Sequence, residues 1–115
     1  MLNDCSFVGR LTHTPEVKQT GNGGVPYINF SIAVDRSQSG EEKTTDFIDC
    51  KAWRKTAEFI GRYFDKGDVI GITGELNVDR YEKDGEKKKA VYINVRQAHF
   101  CGGKKKEAED DDIPY

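Results

Sequence analysis

The stretch from residue 45 to residue 53, with the sequence TDFIDCKAW, constrains the fold more than any other part of the chain. Read as a β-strand, it sends alternate side chains to opposite faces. One face is small and aliphatic, which suits a buried core, whereas the other carries two large aromatic residues with a lysine between them. Two interpretations of that second face are open. Either the strand is buried on both sides and its tryptophan fills the core, or the aromatic residues are exposed and bind something flat and negatively charged, such as stacked bases on a phosphate backbone. The inward set is Ile48, Cys50 and Ala52, and the outward set is Phe47, Asp49, Lys51 and Trp53.

Two further strands are predicted before this stretch. The first covers residues 5–11, where Gly9 indicates a bulge or a close backbone approach, and residues 16–20 can resume its pairing. The second covers residues 27–35 and alternates cleanly, so one face should be buried and the other should meet solvent. The glycine-rich segment 21–24 between them predicts a turn, since it lacks the GK[ST] ending of a phosphate-binding loop and no helical pattern follows it.

After residue 53 the pattern becomes that of one short amphipathic helix, with Gly67 suited to cap its C-terminus. A fourth strand over residues 70–81, a hairpin turn at residues 83–86 and a fifth strand over residues 91–100, with a bulge near Gln97, complete the predicted elements. The expected inward positions of this last part are Ala57, Ile60, Phe64, Ile70, Ile72, Leu76, Val78, Val91, Ile93 and Val95.

Five strands with one helix between the third and the fourth predict an all-β fold, a five-stranded OB-fold barrel. Barrels of this kind bind oligonucleotides or oligosaccharides on a face centred on the second and third strands. Phe47 and Trp53 lie on the third predicted strand, and Tyr81 lies beside a lysine-rich hairpin. We therefore expect a ligand with stacked rings on this face.

The charge of the chain is unevenly distributed. Its 115 residues include 18 basic and 20 acidic side chains, for a net charge of −2. The last twelve residues hold three lysines and five acids, which leaves a neutral body with 15 of each. A neutral body is compatible with a local basic groove but does not demonstrate one. No run approaches the roughly 18 apolar residues of a membrane span, and the N-terminus lacks a leader pattern, so a cytoplasmic location is expected.

The residues that most often carry catalysis or bind metals are sparse. Three cysteines without CxxC spacing disfavour a disulfide framework or a zinc site, and we interpret them as small core residues. His13 and His99 have no acidic partner at metal-ligand spacing. We expect no cofactor, no metal and no catalytic residue.

The C-terminal end differs in composition from the rest of the chain. We divide the chain into a domain over residues 1–101 and a disordered tail over residues 102–115, because the segment that begins at Lys104 is too polar to fold. The acidic run ends in an apolar tip that does nothing for solubility, which favours a short docking motif for a basic, partly apolar pocket. The docking residues are Asp110, Asp111, Asp112, Ile113, Pro114 and Tyr115.

Several segments, in this order and at this spacing, resemble the bacterial single-stranded DNA-binding proteins and their phage-borne relatives over nearly the whole chain. The resemblance implies a homotetrameric OB-fold without catalytic activity that wraps single-stranded DNA with little sequence preference and is associated with the nucleoid. It also implies that the acidic tip recruits replication, recombination and repair enzymes. The segments are residues 7–12 (FVGRLT), 15–16 (PE), 29–34 (NFSIAV), 46–58 (DFIDCKAWRKTAE), 66–67 (KG) and 110–115 (DDDIPY).

The resemblance aligns Phe47, Trp53 and Tyr81 with base-stacking positions of the family. Members often carry another aromatic residue in the loop after the second strand, where this chain has Arg36, and we expect Arg36 to lie on a base or pair with a phosphate. The residues expected to contact phosphates are Arg10, Arg36, Lys51, Arg54, Lys55, Arg80, Lys87, Lys88 and Lys89.

Two alternative functions are weighed against this one. The first is an OB-fold module that binds RNA or another protein, which would bind RNA and DNA comparably and would leave the acidic tip unexplained. The second is a thiol-dependent enzyme that uses Cys50 or Cys101, which blocking of the thiols would inactivate.

Overall fold

A computed structural model describes residues 1–21, 23–36 and 44–102. Residues 37–43 and the tail beyond residue 102, with its docking tip, lie outside the described residues. No helix in the described part is long and apolar enough to cross a membrane. The elements are β1 (Cys5–Leu11), β2 (Lys18–Gln19), β3 (Pro26–Asp35), β4 (Thr45–Trp53), α1 (Arg54–Tyr63), β5 (Val69–Lys83) and β6 (Glu86–Phe100).

The strands close into a ring. β5 pairs antiparallel with β1 on one side and with β6 on the other. β4 pairs antiparallel with β3 and parallel with β6, and β1 also pairs with β3. This closure, together with one helix between β4 and β5, confirms the predicted OB-fold. The two-residue strand β2 pairs with β3, as the prediction of resumed pairing over residues 16–20 allowed.

The core forms on the inner faces of the strands, where the alternation predicted it. One face of α1 packs against β3, β4 and β6. Phe59 and Phe64 meet Phe100 of β6, with ring centroids 5.5 and 5.1 Å apart. Burial of these apolar side chains is the main force that stabilises the barrel. The buried hydrophobic residues are Leu11, Ile28, Phe30, Ile32, Cys50, Ala52, Ala57, Ile60, Phe64, Ile70, Ile72, Ile93 and Val95.

Two glycines allow close backbone approaches within the ring. A Cβ on Gly9 would lie 2.6 Å from the carbonyl oxygen of Ala33, so only glycine fits where β1 meets β3. A Cβ on Gly74 would lie even closer to the carbonyl oxygen of Asn94 in β6, at a register shift of the β5–β6 ladder. Thr73 pairs with Gln97, whereas Gly74 pairs with Val95. Arg96 is therefore the extra residue, one position from the predicted bulge.

The role predicted for Gly67 is wrong. α1 ends at Tyr63, and the extended backbone of Phe64 terminates it. Gly67 instead has φ +87° in the following turn, and its N–H donates a hydrogen bond of 2.8 Å to the carbonyl oxygen of Leu11. Glycine is needed there for the left-handed backbone of the turn rather than for the helix end.

The β5–β6 hairpin extends beyond the barrel. Asp84 and Gly85 both have positive φ, at +53° and +81°, which forms the predicted two-residue turn. The expectation that Leu76, Val78 and Val91 point into the core is wrong, since all three are exposed. The two strands leave the barrel after the bulge at Gly74, so the face that was expected to be inner has no core beneath it.

Candidate nucleic-acid interface

The register between β3 and β4 brings one row of outward side chains together. Cross-strand partners lie on the same face of a sheet. Four cross-strand pairs alternate with the buried positions of both strands and form a continuous strip. The pairs are Tyr27 with Trp53, Asn29 with Lys51, Ser31 with Asp49, and Ala33 with Phe47.

Both aromatic residues of β4 are exposed. Phe47 is 70% exposed and Trp53 is 40% exposed. The interpretation that the strand is buried on both faces is therefore wrong. Trp53 rests against Tyr27, with ring centroids 5.5 Å apart, which limits the movement of the indole and leaves part of its surface open.

A groove of about 420 Å³ crosses this face. We call it the β3–β4 groove; it is lined by residues 29–31 of β3, by residues 49–51 of β4, by residues 13–15, and by Asp79 and residues 90–92 of the hairpin. The Nζ of Lys51 lies 4.7 Å from the centroid of the Tyr92 ring, a cation–π contact that holds the ammonium group on the hairpin side.

Tyr81 does not line this groove but lies two residues beyond Asp79, which does. It is 48% exposed on the hairpin and pairs across the strands with Lys88. A second, more open cleft is lined by Tyr81 together with residues 80, 82 and 87–89. The predicted lysine cluster and its tyrosine are thus brought together, on the part of the hairpin that continues beyond the β3–β4 groove.

The predicted basic residues differ in how their side chains are engaged. Arg36 binds the carboxylate of Asp46 through two hydrogen bonds, of 2.9 and 3.1 Å. These bonds, with the charge of the arginine, lower the pKa of Asp46 and raise that of Arg36. Arg10 donates to the carbonyl oxygen of Gly67 at 3.2 Å. Arg36 is therefore already held by a carboxylate where the sequence suggested a free cation.

Arg54 occupies an unusual backbone position. It follows Trp53 directly, opens α1 and has φ +56°, a region that costs a non-glycine residue of the order of 1 kcal/mol. Lys55 is the next residue along and is exposed. The change of direction from strand to helix thus places two cations beside the exposed indole.

Sequence reasoning did not select two tyrosines of this face. Tyr27 supports Trp53 and Tyr92 supports Lys51. Both belong to the outward sets of alternating strands, but only the pairing of β3 with β4 and the proximity of β6 bring them to the site. Alternation alone does not reveal these neighbours.

The cysteines of the described part give little support to the hypothesis of a thiol-dependent enzyme. Burial, assisted by the nearby charge of Asp49, raises the pKa of Cys50 to about 12, so its reactive thiolate is strongly disfavoured. Cys101 is exposed, unlike the core residue that we expected. Among the described residues no group of three or more histidine, cysteine and acidic side chains could hold a metal ion.

The sequence is similar to characterised proteins over almost its full length. The model of the single-strand binding protein family matches residues 2–101. A single-stranded DNA-binding protein from Fusobacterium nucleatum subsp. nucleatum is 53% identical over 111 residues, which cover 93% of this chain and 71% of that relative.

Two more distant relatives carry the same description. Single-stranded DNA-binding protein 1 from Synechocystis sp. is 37% identical over 110 residues, which cover 94% of this chain and 90% of that protein. The single-stranded DNA-binding protein of Oceanobacillus iheyensis is 40% identical over 95 residues, which cover 81% of this chain but only 57% of that protein. With its closed barrel and its exposed aromatic strip, this chain belongs to the single-strand binding protein family.

Proposed function

We propose that this protein binds single-stranded DNA without strong sequence preference and that bases stack on Phe47, Trp53 and Tyr81. The exposure of Phe47 and Trp53 on the strip between β3 and β4 carries the proposal, because large aromatic side chains are seldom left in water on a small soluble domain. Every base has a π-face, so stacking tolerates any sequence. Relatives that are 37–53% identical are named single-stranded DNA-binding proteins.

Phosphates are neutralised in this proposal by cations that border the aromatic strip. Arg54 and Lys55 follow Trp53 directly, Lys51 lies within the strip, and the hairpin contributes Arg80 and residues 87–89. Arg10 and Arg36 contribute charge while they retain their contacts with Gly67 and Asp46. Because each cation displaces a counterion from the strand, affinity falls as salt rises.

The wider role is to coat and protect exposed strands in the cytoplasm during replication, recombination and repair, as a homotetramer. Residues 1–101 form the DNA-binding domain in this proposal, and residues 102–115 form a tail whose acidic, apolar tip docks on partner enzymes. A chain that ends at residue 106 should bind DNA more tightly at low salt, because the acids of the tail no longer compete for the basic groove, and should lose capture of such partners. Unchanged capture by the shortened chain would contradict the role of the tip.

The decisive experiment is a fluorescence titration of the full chain with thymidine-rich single strands. Trp53 is the sole tryptophan, so its emission reports one place on the surface. We expect quenching by single strands, little response to a matched duplex, and weaker binding as salt rises.

The other outcomes separate the site from the function. Binding seen by mobility shift with an unchanged Trp53 signal would keep the function and remove Trp53 from the stacking set. Equal affinity for RNA strands would favour the general OB-fold module. Absence of binding by either method would overturn the proposed function.

A further inference from the structure

A carboxylate lies in the middle of the face proposed to bind DNA. Asp49 is an exposed residue of β4, between Phe47 and Lys51 on the same side of the strand. Its Oδ1 accepts a hydrogen bond of 2.8 Å from the hydroxyl of Ser31 on β3, which orients the carboxylate. A phosphate at this point would be repelled by the negative charge. Asp49 must therefore face a part of the ligand other than its backbone.

The β3–β4 groove has the shape to receive that other part. Its volume of about 420 Å³ is ample for one nucleobase. The backbone N–H of Thr12 donates a hydrogen bond of 3.1 Å to the carbonyl oxygen of Ser31. This bond ties the segment before lining residues 13–15 to β3. Its lining combines apolar residues, such as Pro15 and Phe30, with hydrogen-bonding side chains such as Asp49. Such a mixed lining suits a nucleobase, which has apolar faces and a polar edge.

The groove is lined by more carboxylates than lysines or arginines. Asp49 and Asp79 both line it, and Lys51 is the single lysine or arginine among its lining residues. The contact with Tyr92 holds the ammonium group of Lys51 to one side. A ligand that donates hydrogen bonds is thus matched better than an anion. A metal ion is disfavoured, since no suitable ligand cluster occurs in the described part of the chain.

We propose that the β3–β4 groove takes one nucleobase and that Asp49 favours bases with an exocyclic amino group over thymine. Cytosine, adenine and guanine each present an amino group that donates to a carboxylate, whereas the one donor on the edge of thymine, its N3–H, lies between two carbonyl oxygens that the carboxylate repels. The inference rests on the proposed binding of single-stranded DNA. It adds a preference for certain bases to a DNA-binding face that is otherwise proposed to bind any sequence.

The test compares two strands that differ at the edge of the base. Thymine and 5-methylcytosine share the methyl group, but the second has an amino group and an unprotonated N3 where the first has an oxygen and an N3–H. The full chain is titrated with strands of each type, about 15 nucleotides long and so near the upper site size of one OB-fold, at a mildly alkaline pH that keeps cytosine strands unpaired. The quantity measured is the ratio of the two affinities, in wild type, Asp49→Asn, Ser31→Ala and Glu58→Gln.

We expect Asp49→Asn to lower the affinity for 5-methylcytosine relative to thymine by about three- to tenfold, since an amide can present either a donor or an acceptor. Removal of the charge should raise both affinities together, and this common change cancels in the ratio. Ser31→Ala keeps the charge but frees the carboxylate to rotate, so it should lower the ratio by a smaller factor. Glu58→Gln, which removes the same charge from an exposed position on α1, should leave the ratio unchanged.

The failures of the two proposals are distinguishable. An unchanged ratio in Asp49→Asn, with single strands still bound, would overturn the base preference and leave the function intact. Equal changes of the ratio in Asp49→Asn and Glu58→Gln would also overturn it, because they would assign the effect to net charge. Failure of the wild-type chain to bind either strand would overturn both.

Discussion

Phe47 is a side chain whose exposure has no structural benefit in the free protein. Its ring is 70% exposed, and its cross-strand partner Ala33 is too small to cover it. Trp53 differs, since Tyr27 supports one part of the indole and fixes its position. Phe47 is therefore the cleaner residue for separating binding from stability.

Replacement of Phe47 by alanine should weaken single-strand binding by about 1–3 kcal/mol, the range known for base–aromatic stacking in this class of protein. The melting temperature should hardly change, because little buried area is lost. Phe47→Leu is the matched control, as it keeps apolar bulk but removes the π-face. Affinity by titration and stability by thermal unfolding are measured on both variants. If Phe47→Leu binds as tightly as wild type, stacking at this position is refuted.

At the scale of elements, alternation predicted the inner and outer faces of β3 and β4 because both strands lie on a core over their central residues. The same reasoning failed for Leu76, Val78 and Val91. The period of a strand shows which side chains share a face, but it does not show where the barrel beneath that face ends. The position of Tyr81 beyond the residues that line the β3–β4 groove has the same origin, since it depends on how far the hairpin extends.

The β5–β6 hairpin should contribute mainly electrostatic affinity. Its cleft combines one tyrosine with Arg80 and three consecutive lysines, residues 87–89. Conversion of these three lysines to glutamine should lower the slope of log affinity against log salt by about 2, given roughly 0.7 for each phosphate contact on single strands. Titrations at several salt concentrations measure the slope. Lys66→Gln, an exposed lysine in the turn after α1, is the control, and a similar drop there would contradict a specific role for the hairpin.

At the scale of the whole molecule, the exposed apolar side chains of the hairpin favour an assembly. Leu76 and Val78 share a face of β5, and Val91 is the direct partner of Val78 on β6. Contiguous exposed apolar surface of this kind is often covered by another subunit. It favours an assembly of subunits, for which the resemblance implied a homotetramer.

Sedimentation equilibrium of the full chain should give a mass four times the 13.0 kDa of one chain. Val78→Asp, which places a charge on the exposed apolar face, should lower that mass while the barrel stays folded by circular dichroism. Val78→Thr keeps the branched shape and serves as the mild comparison. A monomeric wild-type chain would refute the tetramer without affecting the DNA site.

Much of the molecule could be derived from the sequence, because periodicity and turn residues are local. The order of strands and helix along the chain, the aromatic residues of β4 and the turn at Asp84 follow from them. The pair formed by Arg36 and Asp46 does not, nor does the contact of Lys51 with Tyr92, since both depend on which strands become neighbours. The sequence supplied the kinds of residue at the site, while the fold determined which of them meet.

The closed ring has a consequence for solubility. A barrel leaves few free strand edges, but the part of the hairpin beyond the barrel is a two-stranded ribbon whose outer edges lack neighbours in the described chain. Such edges can recruit strands from other molecules and start aggregation, and lysine is a common protection against it. Residues 87–89 are three consecutive lysines on this ribbon, so they are suited to that protection as well as to DNA binding. For that reason they should be exchanged for glutamine rather than for an apolar residue, which would turn a loss of affinity into a loss of soluble protein.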